Sequence, residues 1–227
     1  MSAYKVYLSR AVYPDFFDVG ISTLIGILNA KETAIELPKE LEYLRSKAML
    51  NGQGLKAVIR AIHEEQLVTG RVGLMAELPE FPDPANPQQY LNLYPAEAIL
   101  NWDNGAFNDG FDKLNMVLLD ESGYERKDDF SWQEVKKYRA LTLGDLGENT
   151  PIGVYKQETS AGGTFGGEMK TPVLRGASLD EIPFVFVGSK DICVNPDKPP
   201  TIGLARLCMT IYRGEADYRQ TLFMQGQ

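Results

Sequence analysis

The chain has 227 residues, 44% hydrophobic and 24% charged, enough to build a sizeable core in one large domain. Its formal charge of -8 excludes a surface that binds nucleic acid by broad phosphate neutralisation, although an acidic wall along which DNA slides is compatible with it. Two cysteines, Cys193 and Cys208, exclude a disulfide framework and read as buried thiols, and no apolar run reaches the roughly 18–20 residues that span a bilayer.

Residues 4–30 carry helical periodicity interrupted by Pro14. The spacing predicts one helix ending near Tyr13 and a second with Pro14 in its first turn and Asp15 at its positive end. Phe16, Phe17, Val19, Ile21, Leu24, Ile25 and Leu28 fill the second helix, and Gly20 and Gly26 are expected to be core glycines. Residues 34–37 read as a short extended piece ended by Pro38. Residues 39–48 read as a small amphipathic helix with Leu41 and Leu44 inward, followed by a turn at 51–54. Leu55, Val58, Ile59, Ile62 and Leu67 define a firm helix that Gly70 ends.

Residues 71–78 read as a strand. Four prolines between positions 79 and 87 then require an exposed loop, because proline cannot donate to a ladder. Residues 90–94 form a second strand, and Pro95 opens a helical turn leading to residues 99–102. From Lys113 the pattern alternates every two residues through Leu114, Met116 and Leu118, with a turn at Glu121, Ser122 and Gly123. Further strands are expected over 134–143, 152–158, 172–174 and 182–187.

The last stretch reads as one long helix over about 24 residues, roughly 36 Å of rod. Leu204, Ala205, Cys208, Ile211, Tyr212, Ala216, Leu222 and Phe223 make a wide apolar stripe; Arg206, Thr210, Arg213, Asp217 and Gln220 make a narrower polar one. The fold class is therefore α+β in a single domain over 1–227. It has a helical part (1–70), a strand-rich, mostly antiparallel mixed-sheet part (71–190) and a long helix (191–227). Helical pattern at both ends suggests a piece excised from a longer protein.

Candidate chemistry is sparse. His63, the only histidine, sits beside Glu64 and Glu65 and reads as solvated. Residues 101–112 place oxygen donors at Asn101, Asp103, Asp109 and Asp112, near calcium-loop positions. Gly105 replaces a ligand, however, and Ala106 replaces the turn glycine, so a solvated turn is expected. The glycine-rich run 160–167 precedes Lys170 and Thr171, but Pro172 forbids the helix a phosphate loop needs; a mobile hairpin tip is expected. No catalytic, cofactor or metal residue is assigned, and a non-enzymatic role is expected. Two other readings stand beside it: a binding or adaptor domain of a phage or bacterial system, and a hydrolase using His63 or the acidic turn near Asp103.

YLSRAVY and TLIGILNAK (within 7–31), GLKAVIRAIHEEQLVTGRVGLMAELP (54–79), LNLYPAEAILNW (91–102), YRALTL (138–143), IPFVFVG (182–188) and the closing helix together resemble tailed-phage portal proteins. The likeness is to a portal-like, prophage-encoded family catalogued as a domain of unknown function. The resemblance implies a subunit of the head-to-tail connector ring, located at the portal vertex of the virion and in the host cytoplasm during assembly. Its partners would be copies of itself, terminase, capsid and tail proteins. DNA would pass through the channel without being read, and no membrane would be involved. The chain would be mostly wing, its last helix leading toward a stem. Arg206, Arg213 and Asp217 are then the candidates for intersubunit ion pairs.

Overall fold

A computed structural model describes residues 3–31, 33–78, 88–104, 114–144, 153–167, 169–174, 176–192 and 194–226. Helices α1 (Ala3–Arg10) and α2 (Phe16–Leu28) are separated at Pro14, whose ring cannot continue a helix from the preceding turn. Pro14 lies ahead of the N-cap Asp15 rather than inside the first turn. Residues 34–37 join no sheet, and the small helix at Lys39–Arg45 is a 3-10 helix. Helix α3 (Leu55–Val68) is followed by Gly70 at φ +88, where a Cβ would also lie 2.6 Å from the Asp197 carbonyl oxygen. Only glycine turns the chain into the first strand there.

Strands β1 (Arg71–Glu77), β2 (Tyr90–Pro95) and β11 (Phe184–Gly188) form one antiparallel sheet with β1 in the middle. Side chains alternate across this sheet. Leu74, Leu91 and Leu93 point to one face, where they meet Val58 of α3 with Leu44 and Ala48. Met75, Tyr94, Phe184 and Phe186 point to the other. That second face meets a four-stranded antiparallel sheet ordered β3 (Ile99–Asp103), β4 (Met116–Asp120), β7 (Lys137–Leu143) and β8 (Tyr155–Ala161). Val117, Leu119, Leu141, Leu143 and Tyr155 complete the shared core. Each such side chain, fully buried, stabilises by about 1.5–3 kcal/mol. Arg71, almost wholly buried, lies 4.1 Å over the Trp102 ring and 5.2 Å from that of Phe186, tying the two sheets at one end. Burial holds its pKa below the ordinary arginine value.

The architecture is α+β, as the sequence indicates, with three differences in detail. The helical turn expected after Pro95 is a short 3-10 turn (Ala96–Ala98), and residues 99–103, to which the sequence assigns no element, form a strand, so the chain passes directly from the first sheet into the second. The stretch 134–143 is two strands, β6 (Trp132–Val135) and β7. The ladder breaks opposite Glu121 and Ser122, where the Ser122 hydroxyl takes the Lys137 N–H at 3.2 Å. Beyond that break β5 (Gly123–Arg126) and β6 run on as a two-stranded ribbon of their own. The stretch 172–174 pairs only with a two-residue partner, as β9 (Val173–Leu174) with β10 (Ala177–Ser178). The proline-rich loop expected at 79–87 lies outside the described residues.

Helix α4 (Ile202–Gln225) is the predicted rod. The Thr201 hydroxyl donates to the Leu67 carbonyl at 2.6 Å and fixes its start against the end of α3. Gly20 of α2 is a packed glycine, since a Cβ there would lie 2.9 Å from Leu204 Cδ2. Gly26 is not, contrary to expectation: a Cβ there would meet nothing within 4 Å. Helix α1 lies along the second half of α4, with the Arg10 guanidinium 3.4 Å over the Phe223 ring.

Candidate assembly surface

Helix α4 buries only Cys208 and Ala216 fully. Of the predicted apolar stripe, Leu204, Ala205 and Tyr212 are half-buried, while Ile211, Leu222 and Phe223 are exposed. A second stripe, Leu207, Ile211, Tyr218 and Leu222, recurs at one- and two-turn spacing and is bare along its length. Helix α2 likewise buries Ile21 and Ile25 and leaves Phe16, Val19 and Ile27 exposed on its outer side. Scattered exposed apolar residues need no explanation, but aligned ones on two helices of one layer mark an interaction surface.

The three residues expected at a subunit interface fall on this layer. Arg206 and Arg213 are exposed and unpaired among the described residues. Asp217 is also exposed, and its Oδ1 accepts a hydrogen bond from the Tyr7 hydroxyl at 2.8 Å, which raises the Tyr7 pKa. Asp217 therefore already serves a contact within the chain, holding α1 on α4. Arg10 adds a second, donating to Gln220 Oε1 at 2.8 Å.

A buried polar cluster lies at the opposite end of the inter-sheet core from Arg71. Arg139 on β7 donates to Glu77 at the end of β1 and, at 2.7 Å, to Glu121 just after β4. The Tyr90 hydroxyl donates to Glu77 Oε2 and the Tyr94 hydroxyl to Glu121 Oε1, both at 2.8 Å. Burial, opposed by Arg139, pushes the Tyr94 pKa well up; burial and the bond to Glu77 do the same for Tyr90. Burial alone would lower the Arg139 pKa, but Tyr94, Glu77 and Glu121 around it leave it raised, so its charge is fixed. The cluster floors an open groove of about 540 Å³ lined also by Asn92, Asp120 and Lys137. Both carboxylates are committed to the guanidinium and a phenol, an arrangement that clamps the two sheets together. Sequence reading missed it, because its members come from four distant segments and adjacency in sequence gives no signal of it.

The weaker chemical candidates resolve as follows. His63 is half-buried rather than solvated, because α3 packs on the sheet, and its Nδ1 is buried without a hydrogen-bond partner. Asn101 and Asp103 lie in β3, where Asp103 accepts from the Asn115 backbone at 2.8 Å and side chain at 3.3 Å; Asp109 and Asp112 lie outside the described residues. Among the described residues no cluster of three or more His, Cys, Asp or Glu is placed to hold a metal. The glycine-rich stretch is pinned to β8: Glu158 Oε1 accepts the N–H groups of Gly166 (2.9 Å) and Gly167 (2.7 Å). The amides a phosphate loop would offer to a ligand are taken by the chain's own carboxylate. Cys208 is buried and free, and Cys193 lies outside the described residues. No family model matches the chain, and no curated protein matches it.

Proposed function

We propose that this chain is a structural, portal-like subunit that works by packing against copies of itself in a phage or prophage head-to-tail connector. The observation that carries the reading is the bare stripe Leu207, Ile211, Tyr218 and Leu222 on α4, flanked by the unpaired Arg206 and Arg213. A 24-residue helix with an apolar seam at four- and seven-residue spacing on its free side suits helix-on-helix packing between subunits. The formal charge of -8 suits a channel that passes DNA without holding it. In this role the chain has no catalytic duty. It meets terminase, capsid and tail proteins at the portal vertex and assembles in the host cytoplasm.

Light scattering and negative-stain microscopy test the reading. The protein should form closed oligomers, and Leu207→Asp with Tyr218→Asp should release smaller species while leaving the fold intact, since both side chains are exposed. A wild-type protein that stays monomeric, or a double variant that assembles unchanged, refutes it.

A further inference from the structure

We propose that the β5–β6 ribbon is a docking site for an extended, basic segment of another protein. The segment adds to the ribbon as a third strand and lays a lysine or arginine side chain against two aromatic rings. The inference does not depend on the subunit reading above.

A two-stranded ribbon has no core and is marginal in water; three strands or a packing partner are needed for it to stand. Here β5 and β6 pack appreciably only on each other. Among the described residues the backbone of 123–135 bonds only within itself, so both outer edges are open to strand addition. Yet the ribbon shows three aromatic rings to solvent: Phe130 is 98% exposed, Tyr124 72% and Trp132 66%. The tip is ordered by its own bonds. The Asp128 carboxylate accepts from the N–H groups of Phe130 (2.9 Å) and Ser131 (2.8 Å) and from the Ser131 hydroxyl (2.5 Å). A tip built this way sets the ribbon before any partner arrives, so docking costs little ordering.

Register and charge select the partner. The ladder pairs Tyr124 with Glu134 and Arg126 with Trp132, which puts these four side chains on one face. Tyr124 and Trp132 are diagonal neighbours there, roughly 7–8 Å apart along the backbone, within reach of one cation between them. Arg126 is turned to the tip: it donates to the Asp128 and Asp129 carbonyls at 3.0 and 3.1 Å and to the Asp129 carboxylate at 2.9 Å. Glu134 is unpaired among the described residues. The face therefore offers two rings and one free carboxylate, the set that holds an ammonium or guanidinium by cation–π contact and charge. Residues 123–135 carry Glu125, Asp128, Asp129 and Glu134 against Arg126 and Lys127, a net charge of -2. Nucleic acid and anionic lipid are repelled by such a ribbon, and a neutral partner would bury Glu134 without a counter-charge. A basic segment satisfies it. In an added strand every second side chain falls on the face of Tyr124 and Trp132, so alternating basic residues are the best fit.

The test titrates the whole chain, to about 1 mM, into a rhodamine-labelled octapeptide that alternates arginine with threonine, followed by fluorescence anisotropy. A glutamate–threonine octapeptide is the counterpart. The arginine peptide should bind saturably and the glutamate peptide should not. Tyr124→Ser with Trp132→Ser, and separately Glu134→Lys, should each weaken binding about tenfold or more. Glu40→Lys makes the same change of charge on the small 3-10 helix, across the first sheet from the second, and should weaken it less than about twofold. All four side chains are exposed, so circular dichroism should be unchanged. No binding by wild type overturns the proposal, as does equal binding of the glutamate peptide. A loss as large in Glu40→Lys as in Glu134→Lys means diffuse acidity of the chain rather than a site, and overturns it too. Wild-type assemblies in analytical ultracentrifugation that the Tyr124→Ser, Trp132→Ser variant dissolves would assign the ribbon to a second copy of this chain and overturn it as well.

Discussion

Replacing Arg139 by alanine should be among the most damaging single changes outside the apolar core. The guanidinium side chain is 18% exposed and lies between Glu77 (7%) and Glu121 (11%), so its removal leaves two carboxylates facing each other in a nearly dry seam. Breaking a buried pair in this way costs about 3–5 kcal/mol, of which the exposed Lys137, 3.8 Å from Glu121, recovers little. Against a total stability of about 5–15 kcal/mol that is a large share, and at about 2–4 °C per kcal/mol it lowers Tm by roughly 6–20 °C. Urea and thermal unfolding followed by circular dichroism measure it. The triple variant Glu77→Gln, Glu121→Gln, Arg139→Met removes all three charges and keeps acceptors for Tyr90 and Tyr94. It should recover most of the loss, to within about 1.5 kcal/mol of wild type. A single-variant cost under about 1 kcal/mol refutes the clamp. A triple variant no better than the single one shows instead that the arginine stem, not its charge, is what matters.

Alkaline stability follows from the buried tyrosines. Tyr94 and Tyr155 have folded pKa values raised by burial, so their contribution is complete below the unfolded value near 10 and is lost as pH rises above it. Each should cost about 1.4 kcal/mol per pH unit above that point, and since Tyr90 is raised likewise, Tyr94→Phe should remove about a third of the slope the three share; a slope unchanged by the variant contradicts the assignment. The glycines predict opposite signs. A Cβ at Gly73 would sit 2.3 Å from Phe184 Cζ inside the core, so Gly73→Ala should destabilise by about 1–3 kcal/mol or more. At Gly26 a Cβ meets nothing, so Gly26→Ala should stabilise the folded subunit by about 0.5–1 kcal/mol in urea titrations.

Local rules fixed the parts of this protein that depend on neighbours in sequence. Pro14 separated α1 from α2, Gly70 ended α3, and three- and four-residue spacing drew α4 almost to its observed ends. The strands β1, β2 and β11 were legible because one continuous apolar run or a clean alternation marks a sheet that is covered on its faces. What sequence could not decide is which apolar positions find a partner. The residues of α4 that periodicity groups as one stripe divide into buried Cys208 and Ala216 and bare Ile211 and Leu222, because α1 and α2 cover only one side of the rod. Gly20 and Gly26 are alike in sequence, yet only Gly20 lies against a neighbouring helix. The clamp of Glu77, Glu121 and Arg139 exists only once two sheets stack, and the break at Glu121 and Ser122 that frees the β5–β6 ribbon is set by the edge of the second sheet. Periodicity specifies a face; whether that face ends up covered depends on side chains brought to it from far along the chain.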